Sequence, residues 1–356
     1  MVKNKKTELI YFRAFICMLI ILTHVFTELM RNIEGNDINQ LKLIYYVQNI
    51  FIFGTPSFII LAQLLVTLNY KELSIHYLWS RFKYIFIPYL IIGLFYCYTE
   101  SLKLNSPFSH QLYENIILGK WYGYFIIVIM QFFILSYLIY KISYKLFNSK
   151  LILLLSLIIQ VVFLHLLENN KAFAHAFHSI YPLSDNTFIL GWIFFFFLGG
   201  YIGLNYSRII DFLNNYIFVV LGCAVISYLI FAVFKNHDYW YVTSYTDYLV
   251  LYHTFMFLLL LGACLQFKSF MFYSINLTST FSFFIFLFHP MILSYVYEYT
   301  LVYKGTTILF IVLTLLFVLG LCVGVGVFLR EFYIFRFVIG KQPYLTKFDL
   351  KESIAK

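Results

Sequence analysis

Apolar runs follow one another along the whole chain, each about as long as a membrane-crossing helix of roughly 17 to 25 residues and each closed by a short polar or charged break. They fall near residues 10–29, 44–68, 84–99, 122–140, 151–167, 188–204, 216–234, 248–266, 281–299 and 306–329. Twenty residues of helix rise about 30 Å, the thickness of a hydrocarbon core, and in lipid the backbone must satisfy its own polar groups. The pattern therefore predicts an all-α, polytopic integral membrane protein with ten transmembrane helices. No repeat of 20–50 residues and no window resembling a soluble domain or linker interrupts it, so residues 1–356 are expected to form a single membrane domain. The longest breaks, at 30–43, 100–121 and 168–187, are polar but short, which confines any chemistry to the bundle or its edges. The basic opening followed by a long run without a small-residue cleavage site reads as a retained first span.

An even number of spans places both termini on one side, and Lys and Arg gather on the cytoplasmic side of short loops. With the termini cytoplasmic, 18 of the 25 Lys and Arg residues fall on the inner segments and 7 on the outer ones. Composition agrees, with 62% hydrophobic and 12% charged residues, against about 25% charged in soluble domains. Topology accounts for the net charge of +9 without a nucleic-acid partner. The 43 Phe and 32 Tyr suit interfacial belts. Five cysteines stand singly in apolar stretches, in neither a disulfide framework nor a metal spacing. A Walker loop, a dinucleotide fingerprint and a G-x-S-x-G elbow are all missing, which disfavours ATP-driven transport and serine-hydrolase chemistry.

Against that background the ionisable residues inside spans stand out, because such groups are costly in lipid and normally face a bundle interior or wet cavity. The first span carries Arg13, His24 and Glu28. Eleven steps of about 100° put Arg13 and His24 on one helix face, about 16 Å apart, with Glu28 one turn further on. A histidine there can act as a general base, and Glu28 could accept its hydrogen bond and fix its tautomer. Arg81 and Lys83 stand where an inner loop enters the third span, ahead of a helix-breaking Pro88. The ninth span contains Ser282-Phe-Phe-Ile-Phe-Leu-Phe-His289-Pro290. A mid-membrane histidine beside a proline fits either an opened helix lining a cavity or a ring tied to a freed carbonyl. Gln63 and Gln131 fit helix-bridging amides, and Trp121 and Tyr122 lie where an interfacial belt is the default reading.

These residues resemble the acyltransferase-3 membrane O-acyltransferases, which modify bacterial polysaccharides and cell-wall sugars. Arg13 and His24 match the family's first-span Arg-x10-His, Phe51-Ile-Phe-Gly-Thr-Pro-Ser-Phe-Ile-Ile60 is similar to its second-span segment, and Ser282 to Pro290 is similar to its late His-Pro signature. Within the family, Trp121-Tyr-Gly-Tyr-Phe, Gly191-Trp-Ile-Phe and Arg330 to Tyr344 most closely resemble members encoded with the synthase of poly-β-1,6-N-acetylglucosamine, a biofilm polysaccharide. The resemblance implies that polymer as acceptor, the bilayer and the polysaccharide synthase as partners, and no tightly bound cofactor or metal. A cytoplasmic acyl-CoA, with succinyl-CoA the leading candidate, would be the co-substrate. It further implies His24 with Glu28 as the catalytic pair, Arg13, Arg81 and Lys83 holding the donor or its thioester oxygen, and His289, Ser282, Trp121 and Tyr122 around the cavity. The sequence departs from the family in two places. The third-span Arg-x-x-Arg appears as Arg81 and Lys83, whose ammonium binds as a point charge, and the second-span Ser-Gly is Ala62-Gln63. The rival expectations are a non-enzymatic exporter that stacks sugars on aromatic rings along a channel and a structural partner of the synthase.

Overall fold

The structure is a computed structural model that describes residues 6–31, 38–235, 238–267, 269–299 and 308–340. The turn expected between the last two spans and the basic tail after 340 lie outside the described residues. Helices follow in the order α1 (Thr7–Arg31), α2 (Ile38–Phe51), α3 (Gly54–Asn69), α4 (Ile75–Arg81), α5 (Ile87–Lys103), α6 (Phe108–Gln111), α7 (Tyr124–Ile142), α8 (Lys150–Asn169), α9 (Lys171–Ile180), α10 (Ile193–Leu204), α11 (Tyr206–Phe234), α12 (Val250–Cys264), α13 (Phe272–Tyr299) and α14 (Ile308–Arg330). Among the described residues nine helical stretches are long and apolar enough to cross a membrane, and a shorter apolar one, Ile189–Leu204, stands where the sixth run was expected. The chain is an all-α, multi-pass membrane protein.

Where the expected spans bend, local chemistry gives the reason. Pro88 has no N–H for the carbonyl four residues back, and the preceding Phe82–Phe86 winds as a π-helix in which the Ile87 N–H donates to the Phe82 carbonyl. The helix takes up the missing donor by widening in the turn before the proline, the stretch that carries Lys83. The second span is two helices, α2 and α3, that meet at Gly54, where a Cβ would come within 2.6 Å of Ile20. In α11 the backbone leaves helical geometry at Tyr216 (φ −128°, ψ 24°), the residue where the seventh apolar run begins. Two breaks that read only as polar loops carry helix: α6 continues as a π-helical turn, Leu112–Ile117, and α9 is capped by the Asn170 side chain accepting from the Phe173 N–H.

Contacts gather the chain into two compact units. The first comprises Met1–Gly54, Asp238–Val242 and Leu260–Lys356. In it α1 packs along α13, where the Cys17 thiol lies 3.7 Å from the Ser282 carbonyl. The Gln48 amide of α2 donates to the Thr23 carbonyl and the Thr27 hydroxyl, at 2.9 and 2.8 Å. Phe26, Leu29 and Met30 bury their side chains against Leu41, Ile44 and Phe310 beside that contact.

The second unit comprises Thr55–His237 and Thr243–Leu259. It is built on α10, a helix apolar on every side and therefore interior. Gly199 and Gly203 let α3 approach closely: a Cβ at 199 would sit 2.3 Å from the Ile60 carbonyl oxygen, and one at 203 would sit 1.9 Å from Thr67 Oγ1. On other sides Phe132 stacks on Phe196 at 4.6 Å, and the Phe194 N–H at the start of α10 donates to Gln160 Oε1 at 2.9 Å.

Candidate active site

The first unit holds the histidine pair. α1 runs unbroken for 25 residues, with Glu8 in its first turn and Arg31 in its last, each charge complementing the helix dipole. Its continuity places Arg13 and His24 on the shared face that their spacing predicts. Against that face comes α13, and the His24 and His289 rings meet with centroids 5.0 Å apart and planes tilted by 58°. His289 is fully buried, and its Nδ1 lies 2.8 Å from the Ile285 carbonyl oxygen. A carbonyl can only accept, so the proton sits on Nδ1 and Nε2 is an acceptor. That Nε2 is sealed from solvent without a hydrogen-bond partner. His24 is only partly buried, so of the two imidazoles it alone keeps exposed surface.

The helix continues through Pro290, and the carbonyl that ties His289 is that of Ile285. The ring is thus held by its own helix, through the carbonyl one residue before the one that Pro290 leaves without a backbone donor, and this tie coexists with the contact to His24. Ser282 is buried at the α1–α13 contact, where its carbonyl faces Cys17. Glu28 Oε1 forms a salt bridge with Arg31 Nη1 at 2.7 Å. This i,i+3 pairing turns the carboxylate toward the helix end and lends no support to its orienting His24.

The remaining expected site residues belong to the second unit. The Arg81 guanidinium lies over the Tyr77 ring at 4.7 Å and the Phe133 ring at 5.3 Å, with its Nε buried and unpartnered. Lys83, in the π-helical turn, lies over the ring of Tyr84 at 5.7 Å. Trp121 is buried, its indole N–H donating to the Tyr89 hydroxyl at 3.2 Å, with the Tyr96 and Tyr122 rings 5.3 and 4.8 Å away. The tryptophan is enclosed by tyrosine rings and not exposed as an interfacial belt residue would be. Gln63 Oε1 accepts from the Ser136 hydroxyl at 2.6 Å, and the Gln131 amide donates to the Thr187 carbonyl at 2.8 Å, as bridging amides should.

One buried histidine escaped the sequence reading. His253, on α12, is fully buried beside Phe195 and Tyr252, with neither ring nitrogen partnered. The signal that picked out His24, an ionisable residue inside an apolar run, would also have found it.

The family model described as an acyltransferase domain matches residues 6–327, through both compact units. The chain is 56% identical over 347 residues to a protein of Staphylococcus epidermidis named "Probable poly-beta-1,6-N-acetyl-D-glucosamine export protein", covering 98% of each chain. It is 53% identical over 342 residues to the protein of the same name from Staphylococcus aureus (strain MSSA476), covering 96% of this chain and 98% of that one. No solved structure matches. With its first-span arginine and histidine, its late His-Pro and this match over nearly its whole length, the chain belongs to the acyltransferase-3 family.

Proposed function

We propose that the protein transfers an acyl group from a cytoplasmic acyl-CoA, succinyl-CoA foremost, to a hydroxyl of poly-β-1,6-N-acetylglucosamine. The observation that carries this reading is the contact between a partly exposed His24 and a sealed His289 whose tautomer is fixed by its own helix. His24 takes the sugar hydroxyl proton as the oxygen attacks the thioester carbonyl. The tetrahedral intermediate then collapses to the ester, the C–S bond breaks, and the thiolate leaves with the proton that His24 returns. Within this reading His289 positions His24 and is not itself the base.

Arg13, about 16 Å along the helix from His24, is too far for the thioester oxygen when His24 is the base, and suits a phosphate of the donor. Arg81, a planar fork already lying on two aromatic rings, and Lys83, a point charge, are proposed as further donor anchors in the second unit. Both termini are proposed to be cytoplasmic, from the lysine and arginine bias, and the polysaccharide synthase is proposed as a partner. Export of the polymer without chemistry is the second reading; the names of the relatives speak of export and leave the chemistry open.

The test is the ester content of secreted polymer in cells carrying wild type or His24→Gln, which keeps polarity and approximate size but removes the base. Inserted protein with unacylated polymer supports the transferase. Wild-type ester content in the variant removes His24 as base, and polymer without ester in the wild type favours export.

A further inference from the structure

We propose that Gln48 is a positioning residue for His24, gripping from α2 the turn of α1 that carries the histidine, an inference that rests on the reading of His24 as the base. Both helices belong to the first unit. The Gln48 side chain is buried, and its Nε2 donates to the Thr23 carbonyl at 2.9 Å and to Thr27 Oγ1 at 2.8 Å. A carbonyl can only accept, so the amide turns its N–H groups to Thr23 and its oxygen away. That oxygen, Oε1, is sealed and has no partner.

The grip falls on either side of the base. Thr23 directly precedes His24, and Thr27 lies one turn beyond Thr23. At about 100° per residue the two threonines stand roughly 100° and 60° round from His24, on the same flank. From that flank α2 holds α1, while α13 meets the face of His24 itself with the His289 ring 5.0 Å away. Along the flank the Thr23 hydroxyl donates to the Leu19 carbonyl at 2.9 Å and the Thr27 hydroxyl to the Thr23 carbonyl at 3.2 Å. Back-bonding threonines of this kind loosen a helix and tend to bend it. Gln48 bonds both atoms of the second pair, so α1 is pinned to its neighbour at the point where it deforms most easily, and His24 projects from that point.

Stability alone gives Gln48 little reason to be there. What its two hydrogen bonds return is of the same order as the cost of its one sealed, unpartnered oxygen. Leucine is close to it in volume and would carry no such oxygen. Nor would leucine orphan the partners, because the Thr27 hydroxyl and the Thr23 carbonyl still bond each other. Cohesion of the two helices is also supplied beside this place, where Phe26, Leu29 and Met30 pack on Leu41 and Ile44. What the amide adds that apolar packing lacks is direction: two bonds at fixed atoms set the rotation of α1 about its axis, and with it the bearing of the imidazole.

The test is acceptor-dependent thioester cleavage by full-length protein in nanodiscs, read beside thermal unfolding. Gln48→Leu is expected to lower kcat about tenfold, short of the roughly 100-fold that a 1 Å displacement of a reacting group can cost. The KM values for donor and acceptor should hold, and the melting temperature should be no lower than that of wild type. Thr27→Val, which takes away one of the amide's acceptors, should lose kcat in the same way, and Thr27→Ser, which keeps the hydroxyl, should recover it. Wild-type kcat in Gln48→Leu, with His24→Gln inactive, overturns the positioning role and leaves His24 as the base. A loss of kcat that comes with a lower melting temperature and raised KM values would make Gln48 a helix bridge and likewise overturn it. Full turnover in His24→Gln, or none in the wild type, overturns the reading of His24 as the base and this inference with it.

Discussion

Replacing His289 by Phe separates service to the fold from service to the chemistry. In the fold the imidazole makes one hydrogen bond, Nδ1 to the Ile285 carbonyl at 2.8 Å, worth about 0.5–1.5 kcal/mol net. Against it stands the sealed, unpartnered Nε2, a cost of about 1–3 kcal/mol that a phenyl ring does not carry. The two nearly cancel, and the rings are close in size, so the variant should remain within about 1–2 kcal/mol of wild type in stability. In the chemistry there is no such cancellation. His24 loses the ring that stands 5.0 Å away, and a reacting group displaced by about 1 Å can cost about 100-fold in rate.

The assay is acceptor-dependent thioester cleavage by purified protein in nanodiscs, read beside a thermal unfolding curve. The expected result is a kcat lower by about 100-fold with the acceptor KM nearly unchanged and the melting temperature shifted by a few degrees at most. His289→Asn, which can keep a donor near the Nδ1 position, should not rescue turnover. Wild-type turnover in His289→Phe would refute the positioning role. Turnover restored by Asn would show that the tie to Ile285 is what matters and that the ring beside His24 is incidental.

Four other outcomes are expected. Arg13→Lys keeps the charge but loses the planar fork, so the KM for acyl-CoA should rise about tenfold while the acceptor KM holds, measured by the same cleavage assay. Gly199→Ala places a methyl 2.3 Å from a backbone oxygen that cannot rotate away, and should cost about 1–3 kcal/mol in thermal or denaturant unfolding. Gly320→Ala, with nothing within 4 Å of the new methyl, should be neutral or gain up to about 1 kcal/mol from helix propensity. Lys145→Cys in a cysteine-free background should resist an impermeant thiol reagent in intact cells and react in inverted vesicles. Labelling in intact cells would reverse the proposed orientation.

The helices were legible because one-dimensional patterns decide them. An apolar run of membrane length has few alternatives to helix, and the run at 188–204 was readable even though its helix is short. Irregularities were legible only in part. Pro88 signalled a disturbance, but its missing donor is absorbed before the proline, at Phe82–Phe86, where the sequence has no proline or glycine. The helix α6 was hidden because it is a single turn, and α9 because its apolar period, with Phe173 and Phe177 one turn apart against Phe163, runs for only ten residues, too short for a span. Trp121 read as belt because position at a span end says nothing of what packs around it, and here Tyr89, Tyr96 and Tyr122 enclose the indole.

For the site, spacing along α1 was enough to align Arg13 with His24, since a helix converts sequence distance into angle. It could not bring in His289, which lies 265 positions beyond His24 and meets it only through the packing of α1 on α13. Nor could it rank the histidines, since the sequence shows an imidazole inside an apolar run at 24, at 253 and at 289 alike. Access ranks them. His253 is sealed among aromatic rings with both nitrogens unpartnered, and His289 is sealed with one nitrogen tied to its own helix. His24 alone of the three keeps part of its surface open. Under the proposed acyl transfer a base must meet its substrate's proton, and of these three rings His24 alone has surface with which to do so, a property that only the folded chain has.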